Sequence, residues 1–325
     1  MKPAYPPPSW NGNTTSWGGS VVKAASGQYH MFLAEMLNGC GMNTWTTNSV
    51  IRHAVADTPA GPYTPKEVIM MPFAHNPTAL QAPDGTYLIY HIGCGTPNGG
   101  TPCTDCKNGV TGKCHGPGEM VACTKNTTNI LFSKSLDGPW QQLNAPIVYS
   151  ATMGTPYQVD NPTVTFFKNG SLLMLGRGGN LAHESSTDGY ITAPSWKGPY
   201  TMHSVVGDSK SPAVEDPFVW QDKRGMFHAL FHKFTDEHPG CGGHAFSRDG
   251  KAWTLHSDSA YTTDITTTLG TAHKFFRRER PHLLFDENLD GGHTPTMLFT
   301  SLTQWGDSAH PGDSAFTFAQ VIKTE

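Results

Sequence analysis

Five times along the chain, a polar residue or short polar cluster, usually followed by Pro, opens an apolar-rich run. A Gly-containing turn and a second apolar run follow. The copies read His75-Asn76-Pro77 to His91, Asp160-Asn161-Pro162 to Leu175, Glu215-Asp216-Pro217 to His232, and Glu279-Arg280-Pro281 to Thr300. A divergent first copy runs from Gly18-Gly19-Ser20 to Leu33. Pro is tolerated where a strand begins, because it need not donate to the ladder there. Turns such as Asp84-Gly85 and Asn169-Gly170 between short apolar runs are hairpin signals. Each copy is therefore predicted to be a β-hairpin.

A second phrase separates the copies: Ala60-Gly61-Pro62-Tyr63, Asp137-Gly138-Pro139-Trp140 and Lys197-Gly198-Pro199-Tyr200, with an echo at Gly250-Lys251-Ala252-Trp253. It is expected to cap outer strands, which gives about four antiparallel strands per unit. Units of this kind are stable when each covers its neighbour, and radial closure also protects their edges. The expected fold is all-β, a five-bladed β-propeller forming one domain over 1–325. A β-sandwich with coincidental repetition is the competing architecture.

Composition agrees with this fold, since 35 Gly and 25 Pro interrupt the chain too often for long helices. Net charge is -4 and Lys and Arg are scattered, so no nucleic acid is expected as partner. No apolar run reaches the ~20 residues of a membrane-spanning helix, and no membrane partner is expected. The opening Met1-Lys2-Pro3 lacks an apolar signal region and reads as a mature form with an added initiator Met.

Seven Cys are present. Cys103, Cys106, Cys114 and Cys123 lie in a Cys-rich insertion at about 94–123, and Cys40, Cys94 and Cys241 stand beside Gly. Disulfides and secretion fit this usage. Cys103, Cys106, Cys114 and His115 also have the look of part of a structural zinc site. Sequons at Asn13, Asn126 and Asn169 add an expectation of glycosylation.

In a propeller, the start of each inner strand and the end of its hairpin partner converge on one mouth of the channel. The strand starts bring His75, Asn76, Asp160, Asn161, Glu215, Asp216, Glu279, Arg280 and His282. The hairpin ends bring Glu35, His91, Arg177 and His232. So many ionisable groups around one axis are costly to bury without a function. Each also has a structural reading, as a strand cap, an inter-blade pair or a satisfied core histidine. Trp17, Trp45 and Tyr157 are candidate sugar-stacking aromatics or core residues.

With these residues in place, the chain resembles the five-bladed glycoside hydrolases of family 43 and the related family 117. The resemblance implies that Glu215, before Asp216-Pro217, is the general acid and that Asp160 tunes its pKa by like-charge repulsion. Family 43 places its general base, an Asp, in blade one. Here Trp17-Gly18-Gly19-Ser20 stands there, leaving Glu35, Asp216 and Glu279 as candidate substitutes. A family 117 likeness implies a His-rich pocket with an acid role for a His, which keeps His75 and His232 in view. The catalytic set is thus Glu215, Asp160, Glu35, Asp216 and Glu279. The substrate-binding set is His75, Asn76, His91, Asn161, Arg177, His232, Arg280, His282 and Trp17.

The implied activity is hydrolysis, with inversion, of a plant- or algal-type polysaccharide or oligosaccharide. Two other readings stay open: a lyase using Arg177 or Arg280 on a uronate, and a non-catalytic glycan-binding propeller. The chemistry requires no cofactor, and a structural or axial metal has no assignable ligands. Sugar, linkage, exo or endo action and oligomeric state have no signature in the sequence.

Overall fold

In the computed structural model, which describes residues 2–6, 14–95, 128–143, 159–178, 190–203, 214–233, 241–267, 269–286, 292–303 and 314–322, every copy of the repeat is an antiparallel hairpin. Blade one comprises β1 (Thr15–Lys23), β2 (Tyr29–Met36), β3 (Ser49–Ala56) and β4 (Thr64–Met70). Blade two has β5 (His75–Gln81), β6 (Tyr87–Ile92), β7 (Thr128–Ser133) and β8 (Gln141–Gln142). Blade three has β9 (Val159–Phe166), β10 (Leu172–Gly178), β11 (Tyr190–Ala193) and β12 (Thr201–His203). Blade four has β13 (Val214–Gln221), β14 (Phe227–Lys233), β15 (Cys241–Ser247) and β16 (Thr254–Leu255). After a small hairpin, β17 (Asp264–Thr266) and β18 (Ala272–Lys274), blade five follows as β19 (Arg277–Phe285), β20 (Pro295–Thr303) and β21 (Ala315–Val321).

The inner strands β1, β5, β9, β13 and β19 touch in succession and β19 meets β1, so the ring closes. Blade five supplies three strands of its own. Its outer edge is covered from the other end of the chain, where Ala4 N donates to Thr317 O at 2.9 Å and Thr317 N donates to Tyr5 O at 2.9 Å. Pairing the first residues with β21 satisfies an edge that would otherwise present open backbone groups.

Apolar clusters fill the spaces between blades. Leu88, Tyr90 and Ile130 of blade two pack on Val164, Leu172 and Met174 of blade three, while Met31, Leu33 and Ala54 pack on Leu284, Met297 and Phe299 of blade five. The Gly-Pro-aromatic phrase lies where a blade's third strand turns into its fourth, and its aromatic reaches the preceding blade. Tyr63 meets Phe299 edge-on at 6.4 Å, Trp140 meets Phe32 at 5.4 Å, and the Tyr200 hydroxyl lies 3.1 Å from that of Tyr90.

The polar-Pro signature is a bulge. In every inner strand the ladder skips so that two residues oppose one: between Trp17 and Ser20, His75 and Thr78, Asp160 and Thr163, Glu215 and Phe218, and Glu279 and His282. The residue after the first of each pair has a left-handed backbone: Gly18 (φ 74°), Asn76 (52°), Asn161 (53°), Asp216 (57°) and Arg280 (58°). Asn and Asp tolerate this region better than other side chains, and the Pro that follows in four copies sits where no ladder donor is needed. Just past the bulge, hydroxyls fasten neighbouring blades. Ser20 Oγ donates to Ala79 O at 3.1 Å, Thr78 Oγ1 donates to Pro162 O at 2.8 Å, and Thr163 Oγ1 accepts from Val219 N at 3.0 Å.

Candidate functional site

A bulge sets two residues of the inner strand against one of its partner and re-aims the side chains there. The first bulge positions are Trp17, His75, Asp160, Glu215 and Glu279, and the second are Gly18, Asn76, Asn161, Asp216 and Arg280. At the second level the side chains bond across blades. Asn76 Nδ2 donates to Asn161 Oδ1, and Arg280 donates through a terminal nitrogen to Asp216 Oδ1 at 3.2 Å. Gly18 leaves room in this ring, since a Cβ there would lie 3.5 Å from Arg280 Nε. Arg280 is buried, and its Nε and second terminal nitrogen have no hydrogen-bond partner among the described residues.

At the first level, one histidine joins two carboxylates from adjacent blades. His232 Nδ1 lies 3.8 Å from Glu215 Oε2 and 3.5 Å from Glu279 Oε1. Glu215 keeps 18% of its side chain exposed, whereas Glu279 keeps 6% and His232 3%. Burial pushes the Glu279 carboxyl up to about 7, against the pull of His232. Burial likewise raises Asp216 to about 6 despite Arg280. For His232 burial pulls downward, but the surrounding Glu215, Glu279 and Asp216 carboxylates win and its pKa rises. The cluster therefore retains protons near neutral pH, as proton transfer requires.

The neighbouring imidazoles stay neutral. Burial, helped by the Arg280 charge, drives His75 and His282 well below the ordinary histidine value, and burial lowers His91 to about 4. Ser49 Oγ donates to Ala74 O at 2.9 Å, so its contact with His75 Nδ1 at 2.6 Å assigns the proton to that nitrogen and leaves Nε2 as an acceptor. Trp45, from the short helix Trp45–Asn48, lies 5.1 Å from the His75 ring. Ser49 had no sequence signal, because it opens an outer strand outside the repeat.

Two of the expected residues are committed elsewhere. Glu35 is buried, takes Arg52 at 2.6 and 3.2 Å on its two oxygens, and accepts from the Tyr5 hydroxyl. Trp17 is buried among Ala34, Met36, Cys40 and Ala315, so it offers no open face for a sugar. Asp160 and Arg177 are Cα partners across β9 and β10, and their side chains lie outside the described residues. Tyr157, Asn13, Asn126 and the Cys-rich insertion from Cys103 to Cys123, with His115, lie outside them as well.

No protein-family profile and no curated protein matches the sequence. Solved structures do match. A family 117 glycoside hydrolase from the marine bacterium Zobellia galactanivorans superposes with a TM-score of 0.65 at 11% identity, over 98% of this chain and 87% of that one. The chain has the five-bladed fold of that enzyme. A thermostable family 43 glycoside hydrolase gives 0.58 at 11% identity, over 96% and 91% of the two chains. An exo-β-1,3-galactanase from Clostridium thermocellum gives 0.55 at 12%, and this chain spans 59% of its length. The expectation of a five-bladed propeller resembling families 43 and 117 is thus met at the level of fold. In blade one a Cβ on Gly18 would meet only ordinary contacts, whereas one on Gly19 would lie 2.7 Å from Thr317 Cγ2.

Proposed function

We propose that this chain is a secreted glycoside hydrolase that cleaves a plant- or algal-type polysaccharide or oligosaccharide with inversion. The observation that carries the reading is the Glu215–His232–Glu279 cluster on the channel, flanked by the Asp216–Arg280 pair. The fold likeness to family 43 and family 117 enzymes supports it. Glu215 is the most exposed of the three and is the group that hands a proton to the leaving oxygen. His232 and Glu279 hold that proton near neutral pH and return it to Glu215 between turnovers. Water is activated by a second carboxylate. Glu35 is consumed by Arg52 and Tyr5, so Asp216, held beside Arg280 and ionised once pH exceeds about 6, takes this role. Asn76, Asn161 and Arg280 supply hydroxyl-binding groups.

Secretion is part of the same proposal. Disulfide bonding among the cysteines belongs to that proposal too, and the Asn169 sequon sits on an exposed turn suited to a glycan. Turnover is tested by offering plant and algal polysaccharides to wild type and Glu215→Gln while following reducing ends and the anomeric configuration of the first product. New reducing ends of inverted configuration, lost in Glu215→Gln, are expected. Retained configuration would overturn the inverting mechanism.

One observation favours a second reading. The two nitrogens of buried Arg280 that have no partner among the described residues suit a uronate carboxylate, as β-elimination would require. An ultraviolet-absorbing unsaturated product in place of a saturated one would move the assignment to a lyase. Binding retained by Glu215→Gln with no product from wild type would identify a glycan-binding propeller.

A further inference from the structure

Away from the channel, His30 on β2, His53 on β3 and Asp137 from the turn after β7 of the next blade bring three donor atoms within 4.8 Å of one another. His30 pairs with Val22, toward the end of β2 remote from the bulge at Trp17 and Ala34. His30 Nδ1 lies 2.9 Å from His53 Nε2 and 3.7 Å from Asp137 Oδ1. Donors bound to one tetrahedral ion at ~2.0–2.1 Å stand roughly 3.3 Å apart, a spacing that these two values bracket.

The second observation is what stands behind His53. Its other nitrogen, Nδ1, faces Glu67 Oε1 on β4 at 3.3 Å, and its ring is stacked against Phe32 at 4.9 Å. A carboxylate on the far nitrogen of an imidazole fixes the tautomer that leaves the near nitrogen free to ligate, an arrangement typical of protein metal sites. Asp137 is exposed, which leaves one side open for water as a fourth ligand.

Blade four provides an internal control. By register His228 and His244 occupy the places of His30 and His53, and His228 Nδ1 lies 3.0 Å from His244 Nε2. Asp222, however, approaches the opposite nitrogen, His228 Nε2, at 3.4 Å, and among the described residues no carboxylate completes the set. The histidine pair recurs in the fold, and among the described residues the carboxylate from the neighbouring blade is particular to blade one.

We propose that His30, His53 and Asp137 form a site for a borderline divalent transition-metal ion, with Zn2+ as its representative, joining blades one and two apart from the glycan pocket. Two imidazoles and a carboxylate suit such an ion better than Ca2+ or Mg2+, which favour oxygen alone. Lys66, whose Nζ lies 2.6 Å from Asp137 Oδ1, competes for the same oxygen and swings into solvent when the ion binds.

The test titrates ZnCl2 into the chelator-treated full-length protein by calorimetry, with visible absorption of the Co2+ form as a second readout. One equivalent and intense low-symmetry Co2+ bands are expected. Affinity should fall at least tenfold in Asp137→Asn, fall 10–100-fold in Glu67→Gln, rise in Lys66→Ala, and stay unchanged in His244→Ala. Asp137 and Lys66 are exposed, so their variants keep the fold. Absence of stoichiometric binding, or binding that ignores Asp137→Asn and Lys66→Ala but disappears in His91→Ala, would overturn the proposal, the latter by placing the ion on the axis.

Discussion

At the residue scale, the site is governed by where protons rest. The raised pKa of Glu279 means that the folded state binds this proton more tightly than the unfolded chain does. The group therefore costs no stability below the ordinary glutamate range and costs progressively more as pH climbs toward about 7, after which the cost is constant. Glu279→Gln should remove that slope, raising stability at pH 8 relative to pH 5 by on the order of 1–3 kcal/mol, measured by denaturant unfolding at both values. On the proposed mechanism the rate falls as pH rises through about 7, and Glu279→Gln displaces that limb of the profile. Glu215→Gln should lower kcat by ~10²–10⁴ while leaving the melting temperature within a few degrees of wild type, since Glu215 is the most exposed of the three. Glu215 and Glu279 were legible in the sequence because they stand in the polar cluster before Pro, and His232 because it ends a hairpin. Their division of labour was not, because it depends on exposure and on His232 standing between two blades.

At the scale of the element, the bulged inner strand explains why polar-polar-Pro is the most regular feature of the chain. The left-handed residue is Asn, Asp or Gly in four blades, and Arg280 in the fifth holds a conformation that costs such a side chain roughly 1–2 kcal/mol. The Gly-Pro-aromatic phrase is the second structural device. Tyr63 is completely buried against blade five, so Tyr63→Ala should cost about 3–5 kcal/mol. Tyr63→Phe should cost only about 1 kcal/mol, the hydroxyl's bond to Pro59 O, both read from thermal or denaturant unfolding. The sequence marked the phrase as a repeated cap. That its aromatic wedges against the preceding blade follows from ring closure, which no local pattern encodes.

For the molecule as a whole, closure joins the first residues to the last strand. Tyr5 both pairs with Thr317 and donates its hydroxyl to Glu35, and burial pushes that phenol's pKa up, so it remains a donor throughout the accessible pH range. Removing residues 1–5 should open the edge of β21, leave Glu35 with Arg52 alone, and lower the melting temperature by several degrees. Calorimetry would show it, with Tyr5→Phe giving a smaller loss because the backbone bridge survives.

The sequence by itself determined the repeat, the hairpins and the blade count, because apolar runs joined by Gly turns, with Pro at the strand start in four copies, are local preferences that act the same way wherever they recur. It also named Glu215, Asp216, His232, Glu279 and Arg280, whose side chains the fold brings together. It did not reveal that Glu35 and Trp17 turn away from the channel, since Arg52 and Tyr5 in one case and Met36, Cys40 and Ala315 in the other come from elsewhere in the chain. Nor did it reveal the His30–His53–Asp137 cluster, whose members are 23 and 84 residues apart in number and meet only where two blades press together. Contacts of that kind are set by the closing of the ring, where the free energy of burying apolar surface between blades decides which side chains face one another.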